Sequence, residues 1–455
     1  MGASLIATPC EPVIAIVGAG ISGTLLAVNL LREDGPKVVL IEREPRRVAR
    51  GIAYATTDSA HLLNVRAANM SAFPDQPDHF LNWLNVEDAD RNRFVSRQVY
   101  GDYIEDLLVE ALSKHSARLQ LVYGPALAAH RTNAGWEIEI AGREVVKADI
   151  LILAQGNLPP AGLPVFSDIG PPLYQSDPWR HGAAGLGDQD QVLLIGTGLT
   201  AVDVALSLVR RGFEGKIHAL SRRGLKPRSH VEQGPYVDYV DRPTENGSWL
   251  VRRLRTRASE VGWRLAIDEL RLHNRDIWRR MDSVERQRFL RHIRPFWDVH
   301  RHRLAPGVAA QINAMEASGQ LQFLAGKIEQ VELSNDVAKV DWRRRGKDEI
   351  ATLTVKRIIN CTGPLGDLLK CDDPLILGLL SQGVLRLDQL KLGIDVDAQS
   401  RALDATGRIQ DDMLAIGPMA RGEAWETIAV PDIRRQVWDI ARRLTDSQWV
   451  EVGGL

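Results

Sequence analysis

Two glycine clusters carry the residues whose type and spacing could do chemistry. The first is Gly18-Ala19-Gly20-Ile21-Ser22-Gly23, a G-x-G-x-x-G pattern with Glu42 standing 24 residues beyond Gly18. Such glycines allow a tight turn at the first, close approach to a pyrophosphate at the second, and close helix packing at the third. The free N–H groups opening the following helix then meet the phosphate charge. Glu42 is spaced to accept hydrogen bonds from a ribose diol. The second cluster is Gly196-Thr197-Gly198-Leu199-Thr200-Ala201, with alanine at the third place, and it is followed by Ser221-Arg222-Arg223 where the first cluster has its acid. An acid there would repel a 2′-phosphate, whereas a hydroxyl and two guanidiniums can bind one. The second cluster therefore predicts NADPH, with NADH also possible because arginines occur near that site in NADH enzymes too.

These clusters work only at strand-to-helix junctions, and the flanking sequence supplies them. The apolar run Val13–Val17 precedes the first cluster, a helical pattern through Leu25, Leu26, Val28, Leu30 and Leu31 follows it, and residues 37–41 form the next strand. Residues 192–195 precede the second cluster, Val202, Val204, Ala205, Leu208 and Val209 follow at helical spacing, and residues 216–220 complete the unit. Three more strands are expected, each leading into a glycine: 150–154 before Gly156, 357–360 before Gly363, and 413–416 before Gly417-Pro418. An open α/β sheet binds its ligand just past such strand ends. All three strands are expected to belong to the first sheet or lead out of it, and Gly156, Gly363, Gly417 and Thr427 join the cofactor-binding set. Residues 425–431 then open an amphipathic helix through Ile433, Val437, Ile440 and Leu444. It reads either as a core helix or as one whose positive end meets a flavin carbonyl.

The predicted fold is therefore α/β, with two Rossmann-like, doubly wound, three-layer dinucleotide-binding domains. The first comprises residues 1–160 and 331–455. The second, residues 161–330, is inserted in it and carries a helical cap at 245–310. A chain of 455 residues is two to three times the usual size of one domain, which accommodates this plan.

Composition narrows the function. A formal net charge of -1 gives no reason to expect nucleic acid. The apolar runs fall far short of the roughly 20 residues needed to cross a bilayer; the first residues lack a basic region followed by a long apolar stretch, and Ile6 stands where a myristoylation signal needs Ser or Thr, so neither secretion nor lipid anchoring is expected. The three cysteines, Cys10, Cys361 and Cys371, form no C-x-x-C pair, so a reducing, cytoplasmic setting without a local redox dithiol is expected. Residues 252–303 hold fifteen arginines against seven acids, together with Trp263, Trp278 and Trp297 and with Trp249 just before them. This amphipathic helical stretch reads as a cap shaping a substrate pocket, as a solvated face, or as a nucleic-acid surface, the last disfavoured by the chain's overall neutrality. His300 and His302 share no helix face, so no metal is expected. His230 is placed near a nicotinamide or substrate, or is an ordinary loop histidine.

Taken together, these residues resemble bacterial FAD/NAD(P)-binding flavoproteins with two dinucleotide-binding domains, distantly related to Baeyer-Villiger and N-hydroxylating flavin monooxygenases. Further marks of the resemblance are Gly51-Ile52-Ala53-Tyr54, residues 61–65, Met70-Ser71, residues 80–84, residues 97–103, residues 296–303 and Trp425-Glu426. The resemblance implies that FAD is held by Gly18, Gly20, Gly23, Glu42 and Arg43, with Ile21 and Ser22 in the turn and Asn64, Arg97 and Tyr100 close by. It implies NADPH at Gly196, Thr197, Gly198, Leu199, Thr200, Ser221, Arg222 and Arg223. Residues 174–179 stand where the Baeyer-Villiger signature would fall and do not match it. The expected activity is an FAD-dependent, NADPH-using oxidoreductase, favoured as a monooxygenase that hydroxylates a small organic substrate with molecular oxygen through a flavin peroxide. An oxidase or reductase, and a non-catalytic flavin-binding scaffold or sensor, are the alternatives. No catalytic side chain is assigned.

Overall fold

The computed structural model describes residues 11–180, 184–231, 241–334, 336–364 and 366–445. Its first sheet has six strands in the order Arg401–Leu403, Ile409–Ala415, Ile150–Leu153, Val13–Val17, Lys37–Glu42, Leu119–Tyr123. All neighbours are parallel except the outer Arg401–Leu403. Strands of such a sheet are buried on both faces and read as continuous apolar runs, as Val13–Val17 does. Alternation along each strand still divides the core. Ile14, Ile16, Val38 and Leu40 face a helical layer, while Ala15, Val17, Val39 and Ile41 face the other side. The helical layer is built from Ile21–Leu30, Arg97–Lys114 and Val430–Leu444. The first of these is buried along its whole length, hence its apolar character all round. The opposite face carries a three-stranded antiparallel meander, Ala126–Thr132, Gly135–Ile140 and Val146–Ala148, packed with the helix Pro374–Ser381. The third layer of this domain is therefore largely β.

The second sheet has seven strands in the order Ile350–Val355, Val337–Arg344, Leu321–Ser334, Lys216–Ser221, Gln191–Ile195, Arg357–Asn360, Tyr174–Gln175. Leu321–Ser334 runs parallel to Lys216–Ser221 in its first part and then pairs antiparallel with Val337–Arg344 after a register shift near Ile328. This corrects two expectations. Arg357–Asn360 pairs in parallel with Gln191–Ile195, not with the first sheet, and the second unit does not end at residue 330 but continues through residue 360. A four-residue buried strand followed by a glycine has the same pattern in either sheet, so its sequence does not reveal its partner. The strands that complete the first sheet come only at Arg401–Leu403 and Ile409–Ala415.

The arginine-rich stretch folds as the short helices Gly247–Val261, Trp263–Arg271, Asn274–Arg280, Ser283–Arg288 and Arg294–Arg301, with a π turn at Phe289–Ile293. Asp282 and Glu285 form a reciprocal capping box at the fourth of these. The cap docks on the last part of the first domain. Trp278 Nε1 donates to Gly422 O at 2.8 Å, Arg279 pairs with Glu423 at 2.5 Å, and Arg271 faces Asp432 at 3.7 Å. Several arginines are thus consumed by acids of the same chain. No helix among the described residues is long and apolar enough to cross a membrane.

Candidate functional site

The first glycine turn sits between the ends of Val13–Val17 and Lys37–Glu42. Gly18 has φ +106°, and a Cβ there would lie 2.5 Å from the carbonyl oxygen of Ala154; at Gly23 it would lie 1.9 Å from that of Gly18. Both positions exclude any side chain, one at the sheet and one at the helix. The first helical hydrogen bond runs from Thr24 N to Gly20 O at 2.9 Å, and no acidic side chain occupies the first turn. The N–H groups of Ile21 and Ser22 precede that bond, in the position where a helix N-terminus meets an anion. Buried Glu42 accepts from Ala19 N at 2.9 Å and Glu44 N at 3.0 Å, one with each oxygen. It shapes the turn and retains lone pairs for a ligand hydroxyl.

A cleft of about 1140 Å³, mouth included, opens over this turn. Gly18, Gly20, Ile21, Ser22, Glu42, Arg43 and Gly156 line it. So do residues that sequence reasoning did not assign to the cofactor: Arg47, Arg50, Tyr54, Gly124, Asp373 and Ile428. Asp373 caps the helix Pro374–Ser381 through Ile376 N, accepts from Gln155 Nε2 at 3.0 Å, and lies 3.6 Å from Arg43. The Asp-Pro pair before an apolar run was the readable signal for that helix end. The helix Val430–Leu444 begins at the cleft, where Val430 and Ile433 form part of its wall. Burial, opposed by the Arg97 charge, pushes the Tyr54 hydroxyl up to about 12, so Tyr54 meets the cleft as a neutral phenol.

The other assigned residues divide into three groups. Gly417 (φ +61°) packs on Ser22, and its N–H donates to Gln436 Oε1 at 2.8 Å, which fixes the next-door Pro418 in the cleft wall. Thr427 is buried immediately before the wall residue Ile428. Asn64, Arg97 and Tyr100 lie outside the lining of this cleft. Tyr100 is fully buried behind Tyr54, with ring centroids 5.1 Å apart. Arg97 reaches across to the second domain and pairs with Asp203 at 2.9 Å. The Asn64 carbonyl meets His230 Nε2 at 3.1 Å.

The second glycine turn repeats the first. Gly196 has φ +121°, and a Cβ there would lie 2.4 Å from Cys361 O, whereas Gly198 opens into free space and precedes the helix Leu199–Arg210. Leu199 and Thr200 form the first turn of that helix, which again holds no acid. Because Arg357–Asn360 lies beside Gln191–Ile195, Gly363 stands at this turn and not at the first. Thr197 Oγ1 donates to Leu225 O at 2.6 Å, so its 2.9 Å contact with Ser221 uses the Ser221 hydroxyl hydrogen. Ser221 also accepts from Gly224 N at 2.9 Å. Ser221 therefore organises the turn, while Arg223 donates to Arg291 O at 3.4 Å. Arg222 is exposed, and Arg223 lies over the Phe296 ring at 5.2 Å.

The joint between the two domains is polar and buried. His61 contacts Thr56 Oγ1 at 2.8 Å and Ser207 Oγ at 2.8 Å, and Ser207 donates to Asp58. Burial raises the Asp203 carboxyl even though Arg97 and His61 pull it down. Burial, reinforced by the Arg303 charge, lowers the His230 imidazole to about 3. His302 is lowered to about 4 by burial, which outweighs Glu426. Arg301 lies 3.2 Å from buried Glu426, which also accepts from Trp297 Nε1 at 2.8 Å. Burial opposes ionisation of Glu426, but Arg301 and His302 hold its carboxyl below its ordinary value.

Comparison with known proteins agrees with this architecture. A family model described as FAD-NAD(P)-binding matches residues 15–158. No curated protein matches the chain. Among solved structures, it is similar to a cadaverine monooxygenase from Erwinia amylovora (TM-score 0.69, 12% identity, covering 98% of this chain and 96% of that one). It is also similar to L-lysine 6-monooxygenase from Pseudomonas syringae (TM-score 0.64, 17% identity, 96% and 99%) and to thioredoxin reductase from T. acidophilum (TM-score 0.52, 11% identity, 96% and 99%). At these identities the likeness establishes the fold, a two-domain α/β architecture shared over nearly the whole chain.

Proposed function

We propose that the protein is a cytoplasmic flavoenzyme that binds FAD in the first cleft and NADPH at the second turn, and that it is a monooxygenase acting on a small organic substrate with molecular oxygen. The observation that carries the reading is the pairing of two glycine turns, each opening a helix, with an acid beside one and two arginines beside the other. The residues present fit both groups. Gly18, Gly20, Ile21, Ser22 and Glu42 would hold the pyrophosphate and ribose of FAD, with Arg43 and Gly156 at the cleft walls. Gly196, Thr197, Gly198, Leu199 and Thr200 would hold the second pyrophosphate, and Arg222 and Arg223 its 2′-phosphate. Bound together, the two cofactors supply hydride transfer and onward delivery of electrons to oxygen.

The chain's own part is to bind, orient and exclude water. Val430 and Ile433 keep one wall of the first cleft dry, and the opening turn of their helix directs its positive end there. Arg97, Asp203, His61 and Ser207 hold the second domain's helix against the first domain, fixing the mutual placement that hydride transfer requires. The similar monooxygenases of known structure support the oxygen-using outcome. The absence of a C-x-x-C pair in the sequence separates it from the dithiol route of disulfide reductases.

The test is to follow flavin content, NADPH consumption, oxygen uptake and hydrogen peroxide release in the purified protein, with and without a panel of amines and ketones. Substrate-stimulated oxygen use with little peroxide is expected. Uncoupled peroxide release would indicate an oxidase, dye reduction without oxygen use a reductase, and a flavin-loaded protein inert to NADPH a scaffold or sensor.

A further inference from the structure

The helical cap encloses its own pocket, about 1390 Å³ with the mouth included, whose walls include Leu254, Ile277, Trp278, Phe289, Trp297 and Trp425. Trp278 and Trp425 stack with centroids 5.2 Å apart at 29°, and Phe289 meets them edge-on at 6.0 and 5.9 Å. Two of the indole donors are already used by the framework: Trp278 Nε1 by Gly422 O and Trp297 Nε1 by Glu426 Oε1, both at 2.8 Å. These rings therefore offer carbon surface to an occupant and no hydrogen bond. Among the polar residues lining the pocket besides Asn274, the half-buried carboxylate Glu285 accepts from Asp282 N at 3.2 Å in the capping box, while Arg288 and His292 are exposed to solvent. A diamine or α-amino acid would bring charges whose desolvation such walls do not offset, whereas a flat ring gains apolar burial and offset stacking.

The pocket and the first cleft take part of their walls from one short segment. Trp425 forms part of its wall, Ile428 forms part of the cleft wall, and Glu426 and Thr427 alone separate them in the chain. We propose that this pocket holds the substrate and that the substrate is a flat, apolar, ring-bearing molecule. This rests on the flavoenzyme reading above.

The test titrates the flavin-loaded protein with N-phenyl-1-naphthylamine, a neutral probe whose emission rises on apolar burial, and maps the bound state by amide hydrogen exchange. Saturation at one probe per chain is expected, with slowed exchange in Gly247–Val261 and Asn274–Arg280. Leu254→Arg and, separately, Phe289→Ala should each weaken probe binding at least tenfold while the flavin absorbance is retained. Ring-bearing apolar amines and ketones should speed NADPH oxidation by the wild type, and ornithine should neither do so nor displace the probe. Protection mapping elsewhere, no saturable binding, or ornithine outcompeting the ring compounds overturns the proposal. Because the mapping uses the wild-type chain, it decides the matter even if a variant fails to fold. A chain that takes up no flavin yet binds the probe in the cap fails the earlier reading alone; a yellow chain whose probe maps elsewhere fails this one.

Discussion

Glu42 does two jobs with one carboxylate, and substitution separates them. Hydrogen bonds to a charged acceptor contribute about 1.5–3 kcal/mol each. Glu42→Gln exchanges that charge for an amide whose N–H₂ must face either Ala19 N or Glu44 N. Flavin affinity is expected to fall about ten- to a hundredfold, the range those energies convert to, as read by titrating the apoprotein with FAD and following fluorescence quenching. At the second turn, Arg222→Ala together with Arg223→Ala should raise KM for NADPH by a similar factor of about ten to a hundred and leave KM for NADH nearly unchanged. Equal loss for both nucleotides would show that the arginines do not read the 2′-phosphate. These residues were legible in the sequence because their roles are local: a glycine that must turn, an acid or a base at the next strand end. Asp373 reaches the cleft from a distant segment, and nothing in its immediate sequence announces the nucleotide; Tyr54 stood in a stretch that marked the resemblance but carried no assigned role.

At the scale of elements, the contact between Arg97–Lys114 and Leu199–Arg210 depends on the Arg97–Asp203 pair, with both side chains largely withdrawn from water. Removing one member of a buried pair strands the other, at about 3–5 kcal/mol. Asp203→Ala should therefore lower the thermal midpoint by several degrees and slow NADPH-dependent flavin reduction, while Asp203→Asn should recover part of the stability through its retained carbonyl; differential scanning fluorimetry and stopped-flow absorbance check both. Element types were readable from periodicity, as in Val13–Val17 and the helix that follows it. Partners were not. Arg357–Asn360 and Ile150–Leu153 are both four-residue buried strands followed by a glycine-containing turn, so only the register with Gln191–Ile195 reveals which sheet the former joins. Arg97, read from the sequence as lying close to the flavin, also ties the two domains together, a role that depends on Asp203 more than a hundred residues downstream.

For the whole molecule, the joints respond to acid. His230 and His302 have folded-state values depressed to about 3 and about 4, against about 6.5 in the unfolded chain. Above pH 6.5 both are neutral in either state and leave stability unaffected. Between pH 6.5 and 5 the unfolded chain takes up protons that the folded one refuses, so stability falls with falling pH, by up to about 1.4 kcal/mol per unit for each histidine. Urea midpoints measured across that interval should decline, and His230→Asn with His302→Asn should flatten the slope; an unchanged slope would place the acid sensitivity elsewhere. Because His230 faces Asn64 across the domain joint, flavin reduction by NADPH should weaken over the same interval.

The split of the first sheet also orders events during synthesis. The seven-stranded sheet has all its strands once residue 360 has left the ribosome, whereas the six-stranded sheet still awaits Ile409–Ala415 and the helix Val430–Leu444 that walls its cleft. Domains fold as units as they emerge, so the nucleotide unit encoded second is the one able to mature first. The earliest-translated glycine turn must wait, and the yellow cofactor can be captured in full only after residue 444 has emerged.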